Sequence, residues 1–165
     1  MKTIIENNPW SITSFLENKA YNFNKENILT QLPEKFIDEA ILTISSWDNY
    51  APTPLIELNK LNDELKFKNI YYKDEDKRFD LKSFKALGGA FAVYKIASEK
   101  KNITVSTATA GNHGRSVAWG AQRLGLKCKI FISEFVSESR AEAMRNLDAE
   151  VIRVKGNYDN SLKEC

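Results

Sequence analysis

The chain has 165 residues, 42% of them apolar and 11% aromatic, enough for the core of one domain or for part of a larger chain. Its 24 basic and 22 acidic side chains leave a formal charge of +2, which gives no electrostatic reason to expect nucleic acid or an anionic membrane as partner. No apolar run approaches the roughly 20 residues a membrane-spanning helix needs, and the two cysteines, Cys128 and Cys165, make neither a disulfide framework nor a metal-ligand set.

The opening stretch Met1 to Asn8 turns polar after Ile4 and Ile5. It lacks the apolar stretch of a secretory signal, so a cytoplasmic protein is expected. Residues 1–50 are rich in asparagine and carry aromatics at Trp10, Phe15, Tyr21, Phe23, Phe36 and Trp47. Between Pro33 and Trp47, Phe36, Ile37, Ala40, Ile41 and Ile44 recur at helical spacing and predict a short amphipathic helix. Ala51-Pro52-Thr53-Pro54-Leu55 reads as an extended turn, because each proline disfavours helix at the residue before it. Leu55 to Leu65 reads as a short strand or turn leading into a helix, and Asn69 to Lys73 as a strand.

Asp74-Glu75-Asp76-Lys77-Arg78 reads as a solvated charged loop. Ser83 or Asp80 then caps a helix from about Phe84 to Glu99, with Phe84, Leu87, Phe91, Val93, Tyr94 and Ile96 supplying much of its apolar surface. Gly88-Gly89 inside that helix costs roughly 1 kcal/mol per residue relative to alanine, which another element packed closely against it would explain.

From residue 101 the pattern is regular. Ile103–Ala108, Lys127–Ser133 and Glu150–Lys155 read as strands, with helices at Arg115–Leu124 and Ser137–Leu147 between them. Short connections and β-branched strands predict an α/β fold built on a parallel βαβαβ unit. Asn160 to Cys165 reads as the opening turn of a further helix. A three-stranded parallel sheet is poorly covered by itself, so the chain is expected to be a portion of a larger architecture or to need a partner.

Two segments carry chemistry. Ala110-Gly111-Asn112-His113-Gly114 follows the first strand of the βαβαβ unit, where open α/β sheets bind ligands and helix starts aim free N–H groups outward. As a bare pattern it is also what a structural turn looks like. His113 is the sole histidine, so a zinc site has no second imidazole, and neither a P-loop nor a Gly-x-Gly-x-x-Gly fingerprint exists. Lys85 sits between Phe84 and Ala86-Leu87-Gly88-Gly89; desolvated there it would be a buried amine nucleophile of lowered pKa, and otherwise a snorkelling surface lysine.

Ser83-Phe84-Lys85 with the following Gly-Gly, and Gly111-Asn112-His113-Gly114-Arg115-Ser116-Val117-Ala118-Trp119, resemble the fold-type II (tryptophan synthase β-like) pyridoxal-phosphate enzymes. The Arg115…Ala118-Trp119 continuation, Thr53-Pro54-Leu55, Arg78-Phe79 and Gly156-Asn157-Tyr158-Asp159 favour the diaminopropionate ammonia-lyases over the threonine dehydratases. The resemblance runs from about Trp47 to Asp159 and corresponds to less than half of a family member.

It implies a pyridoxal 5'-phosphate-dependent α,β-elimination that turns 2,3-diaminopropionate into pyruvate and ammonia. Lys85 would hold the cofactor covalently and abstract the substrate α-proton. Asn112 would hydrogen-bond the ring oxygen, and Thr109, Ala110, Gly111 and His113 would receive the substrate carboxylate. It also implies a homodimer, with residues 1–100 belonging to the large domain and 101–165 starting the small one. Three departures stand out. Ala110 occupies a position that is typically Asp and associated with D-substrates, and Asp148 stands where glycine is usual. With only seven glycines and never more than two together, the phosphate-cradling loop is expected beyond Cys165. A catalytically incomplete chain that binds a partner, and a threonine or serine dehydratase-like enzyme, are the alternatives.

Overall fold

The computed structural model describes residues 24–65 and 68–165. The aromatics Trp10, Phe15, Tyr21 and Phe23 and the polar opening from Met1 lie outside the described residues. The chain divides into two compact units, Met1–Ile37 and Asp38–Cys165. In the first, α1 (Lys25–Gln31) starts at Asn24, whose side chain accepts the N–H groups of Glu26 and Asn27 at 2.9 and 3.3 Å. These are donors that the first helical turn leaves without partners. The expected amphipathic helix is α2 (Glu34–Ser45), which follows Pro33 and buries none of its side chains fully.

In the second unit, β1 (Leu55–Glu57) and β2 (Tyr71–Lys73) pair antiparallel around α3 (Asn59–Leu65). A 3-10 turn at Arg78–Asp80 leads to α4 (Lys85–Glu99). Then β3 (Thr104–Ala108), α5 (Asn112–Arg123), β4 (Lys127–Ser133), α6 (Glu138–Arg145), β5 (Glu150–Val154) and α7 (Tyr158–Glu164) follow. The three strands form a parallel sheet in the order β3-β4-β5, with Val105 opposite Cys128 and Ile130 opposite Val151. That is the expected βαβαβ unit. The segment expected to open a further helix is α7, held by reciprocal Asn157 and Asn160 side-chain bonds.

The core joins Val105, Ile130 and Ile132 of the sheet to Val117, Ala118 and Ala121 of α5 and to Ala141 and Met144 of α6. The alternate burial of Cys128, Ile130 and Ile132 along β4 follows the two-residue period of a strand. Among the described residues no helix is long and apolar enough to cross a membrane. Asp148 has a left-handed backbone (φ 61°), so the turn before β5 carries the strain expected of a residue with a Cβ there.

Two expectations about α4 are refined. Its buried face is Ala86, Gly89, Ala90 and Val93, while Phe84 and Ile96 are exposed. The cause is α5, which crosses so closely that large side chains do not fit between. A Cβ on Gly89 would stand 2.3 Å from Ser116 Oγ, and one on Gly120 would stand 2.8 Å from Ala90 Cα. Gly88 has nothing within 4 Å and takes no part in the crossing. Asp80 makes no cap, whereas Ser83 Oγ accepts the Lys85 N–H at 3.3 Å.

Candidate functional site

Lys85 is the first residue of α4 and its side chain is exposed, beside an equally open Phe84. The expectation of a desolvated amine is therefore corrected: at a helix start, with its neighbours' bulk turned outward, nothing in the described residues removes water from it. What is held is its backbone carbonyl. Ser116 Oγ, 1% exposed on α5, donates to the Lys85 carbonyl at 2.5 Å. The space left by Gly89 is what lets Ser116 reach it. The two motif segments, 31 positions apart, thus meet at one hydrogen bond.

The second segment is not a turn before a helix but the helix start itself, since α5 begins at Asn112. Thr109 organises it: its Oγ1 accepts the N–H groups of Gly111 and Gly114 at 3.1 and 3.2 Å, and its own N–H donates to the Phe131 carbonyl at 3.0 Å. Gly114 is required by space, because a Cβ there would lie 2.4 Å from Thr109 Cγ2 and 2.7 Å from Met144 Sδ. The N–H groups of Ala110, Asn112 and His113 are left without an acceptor among the described residues, and all three residues are exposed. Free donors at the positive end of a three-turn helix favour an anion such as a carboxylate. His113 also lines a groove of about 390 Å³ between α4 and β3 that Lys85 and Asn112 do not line.

The charged loop before the lysine is the feature sequence reasoning missed. It was expected to be solvated, yet Arg78 is only 5% exposed. Its guanidinium donates to Glu75 Oε2 at 2.8 Å, to the Ala51 carbonyl at 3.0 Å and to Thr53 Oγ1 at 2.8 Å. Thr53 in turn donates to Glu75 Oε1 at 2.6 Å. The hydrogen bond from Arg78 holds the Glu75 carboxyl below its ordinary range, and Glu75 holds the Arg78 guanidinium above its own. With a further bond from the guanidinium to Glu75 Oε1 at 3.1 Å, four bonds converge on one cation and satisfy charges that would be costly to bury unpaired.

This network anchors a strained loop. Phe79, Asp80 and Lys82 all have left-handed backbones, with φ of 47°, 58° and 52°. Such conformations cost residues with a Cβ about 1 kcal/mol or more each and persist where surroundings impose them. Phe79 supplies the second anchor: its ring lies 4.7 Å from Trp119 and 5.9 Å from Trp47, and the two indoles are 5.6 Å apart. Thr53 and Arg78-Phe79 are visible in the sequence; only the fold joins them. Cys128 is excluded from reactive chemistry, since burial pushes its thiol up to about 11.

A family model described as pyridoxal-phosphate dependent enzyme matches residues 47–165. The diaminopropionate ammonia-lyase of Escherichia coli is 34% identical over 165 aligned residues, covering 89% of this chain and 41% of the relative. The biosynthetic L-threonine dehydratase of Haemophilus influenzae is 34% identical over 109 residues, covering 66% of this chain and 21% of the relative. A crystal structure of the holo diaminopropionate ammonia-lyase from E. coli superposes with a TM-score of 0.74 at 35% identity, over 77% of this chain and 37% of that one. The chain spans about two fifths of the length of the curated ammonia-lyases it matches.

Proposed function

This chain belongs to the pyridoxal-phosphate-dependent enzyme family, with the fold-type II architecture, and from that premise we propose that it serves the α,β-elimination of ammonia from 2,3-diaminopropionate. The observation that carries the reading is the Ser116–Lys85 hydrogen bond, which ties the start of the lysine helix to the helix whose start keeps free N–H donors. The residues fit the cofactor: an accessible amine at Lys85, a neutral amide at Asn112, and donors aimed where an anion is favoured. Pyridoxal phosphate, when bound, supplies an electron sink for charge developing at the substrate α-carbon.

The chain's own residues do the rest. Lys85 Nζ would hold the cofactor, and as a free amine it would take the substrate α-proton and deliver it to the departing β-amino group. Asn112 would donate from its side-chain amide to the ring oxygen of the cofactor. The segment Thr109, Ala110, Gly111 and His113 receives the substrate carboxylate: Thr109 and Gly111 shape the cradle, and the N–H groups of Ala110, Asn112 and His113 donate. The strained loop held by Arg78 fixes where Ser83 and Lys85 begin α4. In the same reading residues 1–100 lie in the larger domain and 101–165 start the smaller, in a cytoplasmic homodimer.

The test is chemical rather than kinetic. Incubation with pyridoxal phosphate, reduction with borohydride and peptide mapping should put one cofactor-derived mass on Lys85, and Lys85→Ala should leave no preferred site. Labelling spread evenly over surface lysines in folded protein refutes the assignment. A second reading, a threonine or serine dehydratase-like enzyme, is favoured by the 34% identity to the L-threonine dehydratase. Ammonia release from diaminopropionate, threonine and serine, compared side by side, separates the two.

A further inference from the structure

The two outer strands of the parallel sheet, β3 and β5, are built differently. β5 carries Glu150 and Arg153, charges of the kind that keep a sheet edge from pairing further. β3 reads Thr104-Val105-Ser106-Thr107-Ala108, with no charge and no proline. Thr109 N–H donates to the Phe131 carbonyl of β4, and backbone groups alternate sides along a strand, so those of Thr104 and Ser106 face away from β4. Both residues are exposed, and these backbone groups have no partner among the described residues. Ser106 meets α7 only through its side chain, where its hydroxyl accepts from Cys165 Sγ at 3.4 Å.

Beside this edge runs the groove of about 390 Å³, walled by Ala92 and Ile96 of α4 and by Val105 and Thr107 of β3, with His113 at one end and Lys100 at the other. Ala92 and Ile96, one helical turn apart, are both exposed. Lys100 and Lys101 precede β3, and Lys127 stands opposite Thr104 at its start; none of the three has an ion-pair partner among the described residues. A free strand edge calls for another main chain, the groove for apolar side chains on one face of it, and the lysines for acidic residues at that end. Two copies joined along this edge by a two-fold axis would set both α4 helices on one face of the shared sheet, over the same groove, so a bare strand fits where a second copy does not. We propose that the β3 edge takes up one extended strand of a partner polypeptide, apolar on the face turned to α4 and acidic at the end beside Lys100. This docking surface goes beyond the chemistry at Lys85 and does not depend on it.

Calorimetric titration of the full chain with the peptide Asp-Glu-Val-Thr-Val-Thr-Val-Glu-Asp tests this; being acidic at both ends, the peptide can dock in either direction. Saturable binding of one peptide per chain is expected, weakening as salt is raised. N-methylating all the valines, or instead all the threonines, strips donors from opposite edges of the strand. One of those two peptides should bind about tenfold more weakly or worse, and the other should keep most of its affinity. Ser106→Pro removes an outward N–H that an edge strand can spare, and should cost about tenfold in peptide affinity. Lys100→Glu should weaken the acidic peptide and strengthen one with lysines in place of its acidic residues, whereas Lys85→Ala should leave both unchanged. No saturable binding in folded protein overturns the proposal, as does equal loss or equal retention with the two N-methylated peptides, or equal binding of the lysine-ended peptide to the unaltered chain. A dimer that Ser106→Pro dissociates would place a second copy on this edge and overturn it too. Should Ser106→Pro fail to fold by circular dichroism, Ile96→Glu, at an exposed helix position, must weaken the acidic peptide, or the proposal fails.

Discussion

Two regions of the same helices obey opposite rules. Where α4 and α5 cross, Gly89, Ala90, Ser116 and Gly120 are buried and side chains are trimmed almost to backbone. Near the starts of those helices, Lys85, Asn112 and His113 stand exposed, with groups that packing does not hold. The crossing is stiff because a Cβ in the wrong place has nowhere to go, and interiors packed this tightly transmit displacement rather than absorb it. The helix starts borrow that stiffness through Ser116 and the Arg78 loop. The backbone at these two starts can thus be exposed and still be fixed in place.

The largest expected effect comes from the loop that feeds the α4 start. Arg78→Met removes one partner of a buried pair and should cost about 3–5 kcal/mol in urea unfolding at neutral pH. The same pair sets an acid limb. Arg78 depresses the folded-state pKa of Glu75, so the stabilisation is complete above the unfolded carboxyl value of about 4.3 and is lost as pH falls through the lower folded value. Stability measured against pH should lose part of that limb in Arg78→Met. An unchanged limb would show that Glu75 gains nothing from the pair.

Next comes the crossing. Gly120→Val drives side-chain atoms against the Ala90 backbone and should cost about 3 kcal/mol, the upper end of ordinary overpacking. Ser116→Ala should cost about 1 kcal/mol for its hydrogen bond, yet lower the site selectivity of pyridoxal-phosphate labelling at Lys85 by more than that loss implies. Equal labelling in both proteins would break the link between the two regions. Gly88→Ala, one position from the crossing but facing open space, should raise stability by about 0.5–1 kcal/mol. Finally, a thiol reagent should count one reactive cysteine in the native protein, exposed Cys165, and a second, Cys128, only after unfolding.

The parallel unit was legible because burial on a sheet writes itself as β-branched runs: β4 was found with its bounds intact, and β3 and β5 within a residue. The start of α5 was not. Gly111-Asn112-His113-Gly114 is poor in helix formers, so its periodicity begins only at Arg115. What makes it helical is Thr109, whose hydroxyl takes two N–H groups, and the lack of room for any Cβ at Gly114. The small-residue face of α4 escaped for a related reason: only its large apolar residues drew notice as apolar surface, but a close helix crossing buries small ones. Arg78 escaped because its partners, Thr53 and the Ala51 carbonyl, lie 25 and 27 positions away. Local composition carries no trace of a pairing over that distance.

Gly89 and Ser116 also constrain how the sequence can drift. An alanine at position 89 collides with the Ser116 side chain, and the relief available is to shorten residue 116 to glycine. That second change discards the hydroxyl that holds the Lys85 carbonyl. Neither order of the two steps passes through an intact intermediate. The helix bearing the lysine and the helix whose start keeps free N–H donors are therefore inherited as a locked pair, and positions 89 and 116 should vary together or not at all across descendants of this chain.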